Sequence, residues 1–210
     1  MRTLFLTFLS ILCFKVGAQE KTYQVRTIAF YNLENLFDTR NDSLTRDDDR
    51  TPQGADRWSD IRLKRKLQNL SRVLFEIGGE IRANPPDIIG VCEVENRKVL
   101  EDLAGQPALL PYDYGIIHMD SPDHRGIDVA LLYRKGRFFP LEVKSFRLIL
   151  RDAEGKRKYT RDQLVVSGLL DQEEIHLLVN HWPSRGGAAL QTISYRKEAA
   201  LRQRYLVDSI

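Results

Sequence analysis

The chain has 210 residues, 42% of them hydrophobic and 9% aromatic, which is the composition of an ordinary globular protein able to bury a core, with one domain as the default. Its formal net charge is +3, and removing residues 1–18 takes away Arg2 and Lys15 and no acid, which lowers it to +1. Global charge therefore does not argue for nucleic acid, and no internal repeat or low-complexity tract is present.

Residues 1–18 read as an export signal. Met1 and Arg2 give a short basic start, Thr3–Phe14 an apolar run, and Lys15 to Gln19 a small-residue pattern with cleavage after Ala18. The run is too short to span a bilayer comfortably, so no stable membrane anchor is expected, and the product is expected to be periplasmic or secreted. The bulky Leu12 before Cys13 argues against lipidation there. Cleavage leaves Cys92 as the sole cysteine, so an exported fold stands without an intramolecular disulfide, and a monomer is expected.

Val25–Tyr31 is apolar and β-branched enough for a strand that stops at Asn32. Residues 38–60 hold Asp47, Asp48 and Asp49 with Pro52 and Gly54 and no apolar period, which predicts a solvated surface loop. A calcium loop there would need alternating ligands and a closing Glu, and neither is present. Ile61, Leu63, Leu67, Leu70, Val73, Leu74, Ile77 and Ile81 form a helical stripe, with Ser59 as candidate N-cap and Pro85 and Pro86 as the stop. Asp87–Val94 follows as a nearly all-apolar strand, buried on both faces, with Glu93 at its end. A short helix is expected near Arg97–Leu103, then strands at 112–119, 127–134, 138–150, 161–170 and 174–181, a succession that suggests antiparallel pairing. Residues 188–210 read as a helix without a stop signal, so the chain is expected to end inside an unfinished domain.

Asn32, Glu93 and His181 are polar residues at the ends of otherwise apolar strands, where a rigid scaffold forms a site at little cost. Glu93 is a suitable ligand for a hard cation, or the partner of Arg97 four residues on. Asn32 and Glu34 offer further oxygen ligands, with Glu95 a spare. His181 is placed to donate a proton or a hydrogen bond to a phosphate oxygen and Arg185 to clamp the same group; the alternative is a rim histidine stacked by Trp182. Asp128 is either the carboxylate that orients His181 or a turn residue at a strand start. Arg161 either points at the same site or is a solvated strand end.

Five runs stand in order: Phe30–Phe37, Pro86–Glu93, Arg125–Tyr133, Thr160–Asp162 and Asn180–Arg185. Together they resemble the endonuclease/exonuclease/phosphatase family, which includes deoxyribonuclease-type nucleases, abasic-site endonucleases, sphingomyelinases and inositol phosphatases. The resemblance implies a four-layer α/β-sandwich over residues 19–210, incomplete at its C-terminus. It implies a hydrolase that uses Mg2+, with Mn2+ or Ca2+ as alternatives, on nucleic acid or another phosphoester. Asn32 and Glu93 would be metal-site residues, Glu34 would hold the place of a second acid, and His181 would contact the scissile phosphate. Arg161 would also contact phosphate, and Arg125 falls near a position where relatives carry an aromatic or polar phosphate contact. The late Asp-x-Asn and Asp-His pairs of the family do not occur after His181. Other readings keep the family with a phospholipid or phosphomonoester substrate, or make the chain an inactive exported binding module.

Overall fold

The computed structural model describes residues 24–81, 83–184 and 189–210, so the expected leader at 1–18 lies outside the described residues. Its elements in order are β1 (Ile28–Leu36), α1 (Asp60–Glu76), β2 (Ile88–Val94), α2 (Arg97–Ala104), β3 (Tyr114–His118), β4 (Asp128–Arg134), β5 (Phe138–Phe146), β6 (Leu150–Arg151), β7 (Arg157–Lys158), β8 (Gln163–Leu170), β9 (Glu173–Val179) and α3 (Ala189–Asp208). One sheet has the order β1-β2-β4-β3, a second β5-β8-β9, and β6 and β7 pair apart.

The alternation of β2 decides the layering. Ile89, Val91 and Val94 face α1 and α2, where they meet Leu67, Leu70, Leu74, Val99, Leu100 and Leu103. Ile88 and Cys92 face the other way and pack with Val129 and Leu131 against Phe138, Leu164, Val166 and Val179 of the second sheet. Both faces of β2 are therefore covered, as its uninterrupted apolar run requires. Cys92 lies between the sheets at 1% exposure. Gly90 belongs to this interface as well, because an added Cβ would stand 3.1 Å from Phe30 and 3.4 Å from Val179. On the far side, Arg202 of α3 lies over the Phe146 ring at 5.5 Å, and Gln163 Nε2 donates to the Ala199 carbonyl at 3.2 Å. Helices, sheet, sheet and helix in this order are compatible with a four-layer α/β-sandwich.

Pairing is antiparallel in β2–β4, β3–β4, β5–β8 and β8–β9. β1 and β2 are parallel, since α1 carries the chain back between them. Several boundaries differ from expectation. β1 continues to Leu36, although regular pairing stops at Asn32 opposite Cys92. The first helix ends at Glu76, well before the prolines, and Gly78 (φ +77°) turns the chain away. Ser59 occupies the N-cap position without a side-chain hydrogen bond, whereas Asn96 caps α2 by accepting from the Val99 amide at 3.0 Å. The 38–60 segment is less solvated than its composition predicts: it holds a 3-10 turn at Asp48–Arg50, buries Asp47, and anchors Trp58 Nε1 on the Phe37 carbonyl at 3.0 Å. The expected 138–150 strand is divided between β5 and β6. Among the described residues no helix is long and apolar enough to cross a membrane.

Candidate functional site

The parallel pairing of β1 with β2 sends Asn32 and Glu93 out of the same end of the first sheet. Both strands bulge there. Glu93 is inserted between Cys92 and Val94 in the pairing with β4 and adopts φ +59°, and Glu34 and Asn35 take φ +54° and +58° between the paired Asn32 and Leu36. Left-handed backbone at three non-glycine residues on one sheet end is strain of the kind that gathers at working sites. Each bulge re-aims a side chain that regular pleating would have buried or turned aside.

The second sheet contributes His181, two residues past the end of β9. Its Nε2 lies 3.4 Å from Glu93 Oε1. Glu93 does not pair with Arg97, which binds Glu101 at 2.9 Å and the Ile116 carbonyl at 3.1 Å instead. Nor does Trp182 stack on the histidine; it packs with Leu148, Leu150, Tyr195 and Ala199. Burial pushes the His181 imidazole down to about 4, and the Arg161 charge pushes in the same direction against the pull of Glu93. The ring is therefore neutral at neutral pH, and its Nδ1 is buried without a hydrogen-bond partner among the described residues.

Arg161 does not point a free guanidinium at this site. Its Nε and Nη2 donate to the His181 carbonyl, Nη2 donates also to the Trp182 carbonyl at 3.0 Å, and Nη1 binds Asp123 Oδ2 at 3.0 Å. Only 7% of the residue is exposed. In this arrangement Arg161 clamps the histidine loop, with its bonds made within the protein, as a buried donor requires. Burial raises the Asp123 carboxyl, yet the hydrogen bonds from Arg125 and Arg161 outweigh it and hold the group below the usual carboxylate range. Arg125 is half exposed, binds Asp123 through Nε at 3.2 Å, and is close enough for its charge to act on His181.

Asp128 does not orient His181. Its Oδ2 lies 3.0 Å from His118 Nε2, and its Oδ1 accepts the Ser121 amide at 2.8 Å and the Ser121 hydroxyl, so both oxygens are committed elsewhere. Asn32 Oδ1 accepts the Glu34 amide at 2.7 Å. Glu34 lines a cavity of about 480 Å³ together with Trp58 and Lys66. Lys66 donates to the Glu34 and Asn35 carbonyls, and burial, joined by the Arg50 charge, pushes its ammonium down against the pull of Glu34 and Glu93. Arg185 lies outside the described residues. Asp123, Lys66 and His118 were not singled out from sequence: the first sits in a Pro-Asp turn pattern, the second is one of many basic residues on its helix, and the third ends a strand with no sign of its partner.

The oxygen donors fit a hard cation. The Glu93 carboxylate accepts no hydrogen bond among the described residues, and Asn32 supplies a neutral carbonyl oxygen on the adjoining strand. Separately, His118, Asp120 and Asp128 offer ligand atoms that all lie within 4.8 Å of one another.

Among solved structures, a humanized D. rerio TDP2 is similar with a TM-score of 0.50 and 14% identity, over 88% of this chain and 56% of that one. D. rerio TDP2 complexed with single strand DNA product matches with a TM-score of 0.50 and 14% identity, over 86% and 54%. A mannosyl-6-phosphatase of Bacteroides thetaiotaomicron gives 0.49 and 20% over 88% and 60%. The chain thus spans less than two thirds of the length of these structures. No curated protein matches it in sequence. The model of the Endonuclease/Exonuclease/phosphatase family matches residues 27–210, and the chain belongs to that family.

Proposed function

We propose that this chain carries part of the active centre of an exported, divalent-metal-dependent hydrolase of phosphoester bonds, with nucleic acid as the leading substrate class. The observation that carries the reading is the meeting of Glu93 and His181 at 3.4 Å, each brought from a different sheet, at a strained strand end beside Asn32. Family membership supports it, as does the single-strand DNA product bound to the D. rerio TDP2 of similar fold. Glu93 and Asn32 would hold Mg2+, or Mn2+ or Ca2+ in its place, with Glu34 adjoining; such an ion supplies charge stabilisation for a phosphoryl group. His181, neutral at neutral pH, donates a hydrogen bond to a phosphoryl oxygen rather than a proton to a leaving group. Arg125 faces the same region and adds positive charge, and Arg185 is proposed to do likewise. Arg161 serves by fixing the loop. The export reading rests on the basic start, apolar run and small-residue pattern of residues 1–18.

A second reading, a phospholipid or phosphomonoester as substrate, is favoured by a cleft of about 540 Å³ beside the site whose walls include Asp38, Asp42, Asp120 and Asp128. Such walls repel a long polyanion. The test is hydrolysis of plasmid DNA, sphingomyelin and an inositol phosphate, side by side at low salt, by protein carrying this chain. DNA cleavage that needs a divalent cation and disappears in Glu93→Ala supports the first reading. Turnover unchanged in a folded Glu93→Ala protein overturns both.

A further inference from the structure

At the same end of the first sheet as Glu93, but two strands over, the end of β3 holds an arrangement that the proposed hydrolysis leaves unused. His118 has a side chain only 3% exposed. Its Nε2 is bound by Asp128, and Asp128 is fixed in turn by the amide and hydroxyl of Ser121. With Nε2 taken up by the Asp128 carboxylate, Nδ1 is the ring nitrogen left for a further partner. What faces Nδ1 is a carboxylate oxygen: Asp120 Oδ1 at 3.8 Å, on a side chain that is 92% exposed. That separation is too long for a hydrogen bond. It is slightly more than the roughly 3.4 Å between two ligands that each sit about 2.1 Å from one tetrahedral metal ion, a gap that a small turn of the exposed Asp120 closes.

A ring nitrogen and a carboxylate oxygen set just beyond direct bonding leave a place for a cation between them, and the surroundings favour one. Asp120 and Asp128 line the same cleft as Asp38 and Asp42. A carboxylate that orients a histidine through one ring nitrogen while the other is turned to an oxygen donor is the recurrent build of a metal-bound imidazole.

We propose that His118 Nδ1 and Asp120 hold a divalent transition-metal ion, Zn2+ or Mn2+ by class, with Asp128 as the group that orients the ring and water completing the shell. Imidazole selects such ions over magnesium, so this site differs from Glu93 in the ion it takes. Its structural consequence runs along the loop that follows. Asp120 leads through Ser121 and Pro122 to Asp123, Asp123 binds Arg161, and Arg161 holds the His181 carbonyl. An ion at the base of the loop therefore braces the histidine without touching it.

The test is calorimetric titration of the EDTA-dialysed chain with Zn2+, alongside Glu93→Gln, His118→Gln, Asp120→Asn and Asp128→Asn. One equivalent should bind in the Glu93→Gln background, vanish in His118→Gln, and weaken about 10- to 100-fold in Asp128→Asn. Asp120→Asn, a surface change that leaves the core untouched, should weaken it at least tenfold as well, and this arm stands even if His118→Gln does not fold. Equal Zn2+ affinity in wild type and Asp120→Asn, or loss of the equivalent in Glu93→Gln, overturns the proposal. No saturable Zn2+ binding in wild type overturns it too, and leaves a proton as what joins His118 to Asp120.

Discussion

Arg161 and His181 are joined through the main chain: the guanidinium donates to the His181 carbonyl from Nε at 3.1 Å and from Nη2 at 2.7 Å. The side chain that sequence suggests for phosphate holds the backbone of the residue proposed to meet substrate. Arg161→Met should remove these bonds and strand Asp123, a buried carboxylate, with Arg125 as its remaining cation. A loss of about 3 kcal/mol in urea unfolding is expected, in line with breaking one side of a buried ion pair. Adding Asp123→Leu to the same protein should recover part of it, because no unpaired charge is then left inside.

His181 gives a pH signature. Its folded value of about 4 is below the ordinary 6.5, so as pH falls the unfolded chain takes up the proton first. Stability should therefore decline from pH 6.5 toward 4, and His181→Gln should flatten that limb in thermal melts taken every half unit. If the proposed hydrolysis holds, His181→Ala should cost about 10²- to 10³-fold in kcat, the usual price of one lost donor to a developing oxyanion.

Glu95 has the opposite sign. Burial raises its carboxyl from 4.5 to about 8, Asp38, Asp47 and Asp42 add to the rise, and the Asp38 amide, donating at 2.6 Å, opposes it. The folded chain keeps this proton after the unfolded chain has lost it, so stability drains away as pH rises from 4.5 to 8. Glu95→Gln retains an acceptor for the Asp38 amide and carries no charge. Its melting temperature should exceed wild type at pH 8.5 and match it at pH 4.

Gly168 in β8 has no room for a methyl group. A Cβ there would stand 2.5 Å from the Phe139 carbonyl oxygen and 2.5 Å from Phe138 Cζ, which is a buried ring. Gly168→Ala should cost about 1–3 kcal/mol by overpacking. Gly136→Ala, with nothing within 4 Å, is the control and should be close to neutral in the same denaturant titration.

Strands such as β2 and β4 were legible because a run of apolar residues has one stable place, between two layers. The two-residue pairing of β6 with β7 was not, since Arg157 and Lys158 carry no apolar alternation at all. The meeting of Glu93 with the end of β9 was legible only in outline: both are polar residues at strand ends, but nothing in either run says that the ends coincide. Asp128 shows the limit most clearly. Its partner is set by the register of β3 on β4, in which His118 stands opposite Ala130, two residues along the same face. A neighbouring histidine at 118 and a distant one at 181 look alike until that register is known.

Cys92 turns its place between the two sheets into a clock. With the thiol enclosed and pushed up to about 12, chiefly by burial and further by Glu93, a reagent finds neither access nor thiolate while the layers are closed. Oxidising surroundings should consequently leave neighbouring molecules uncrosslinked. The rate at which iodoacetamide labels Cys92, read from the mass of its own peptide, then counts how often the two sheets part, and a bound ion that holds their shared edge together should slow it.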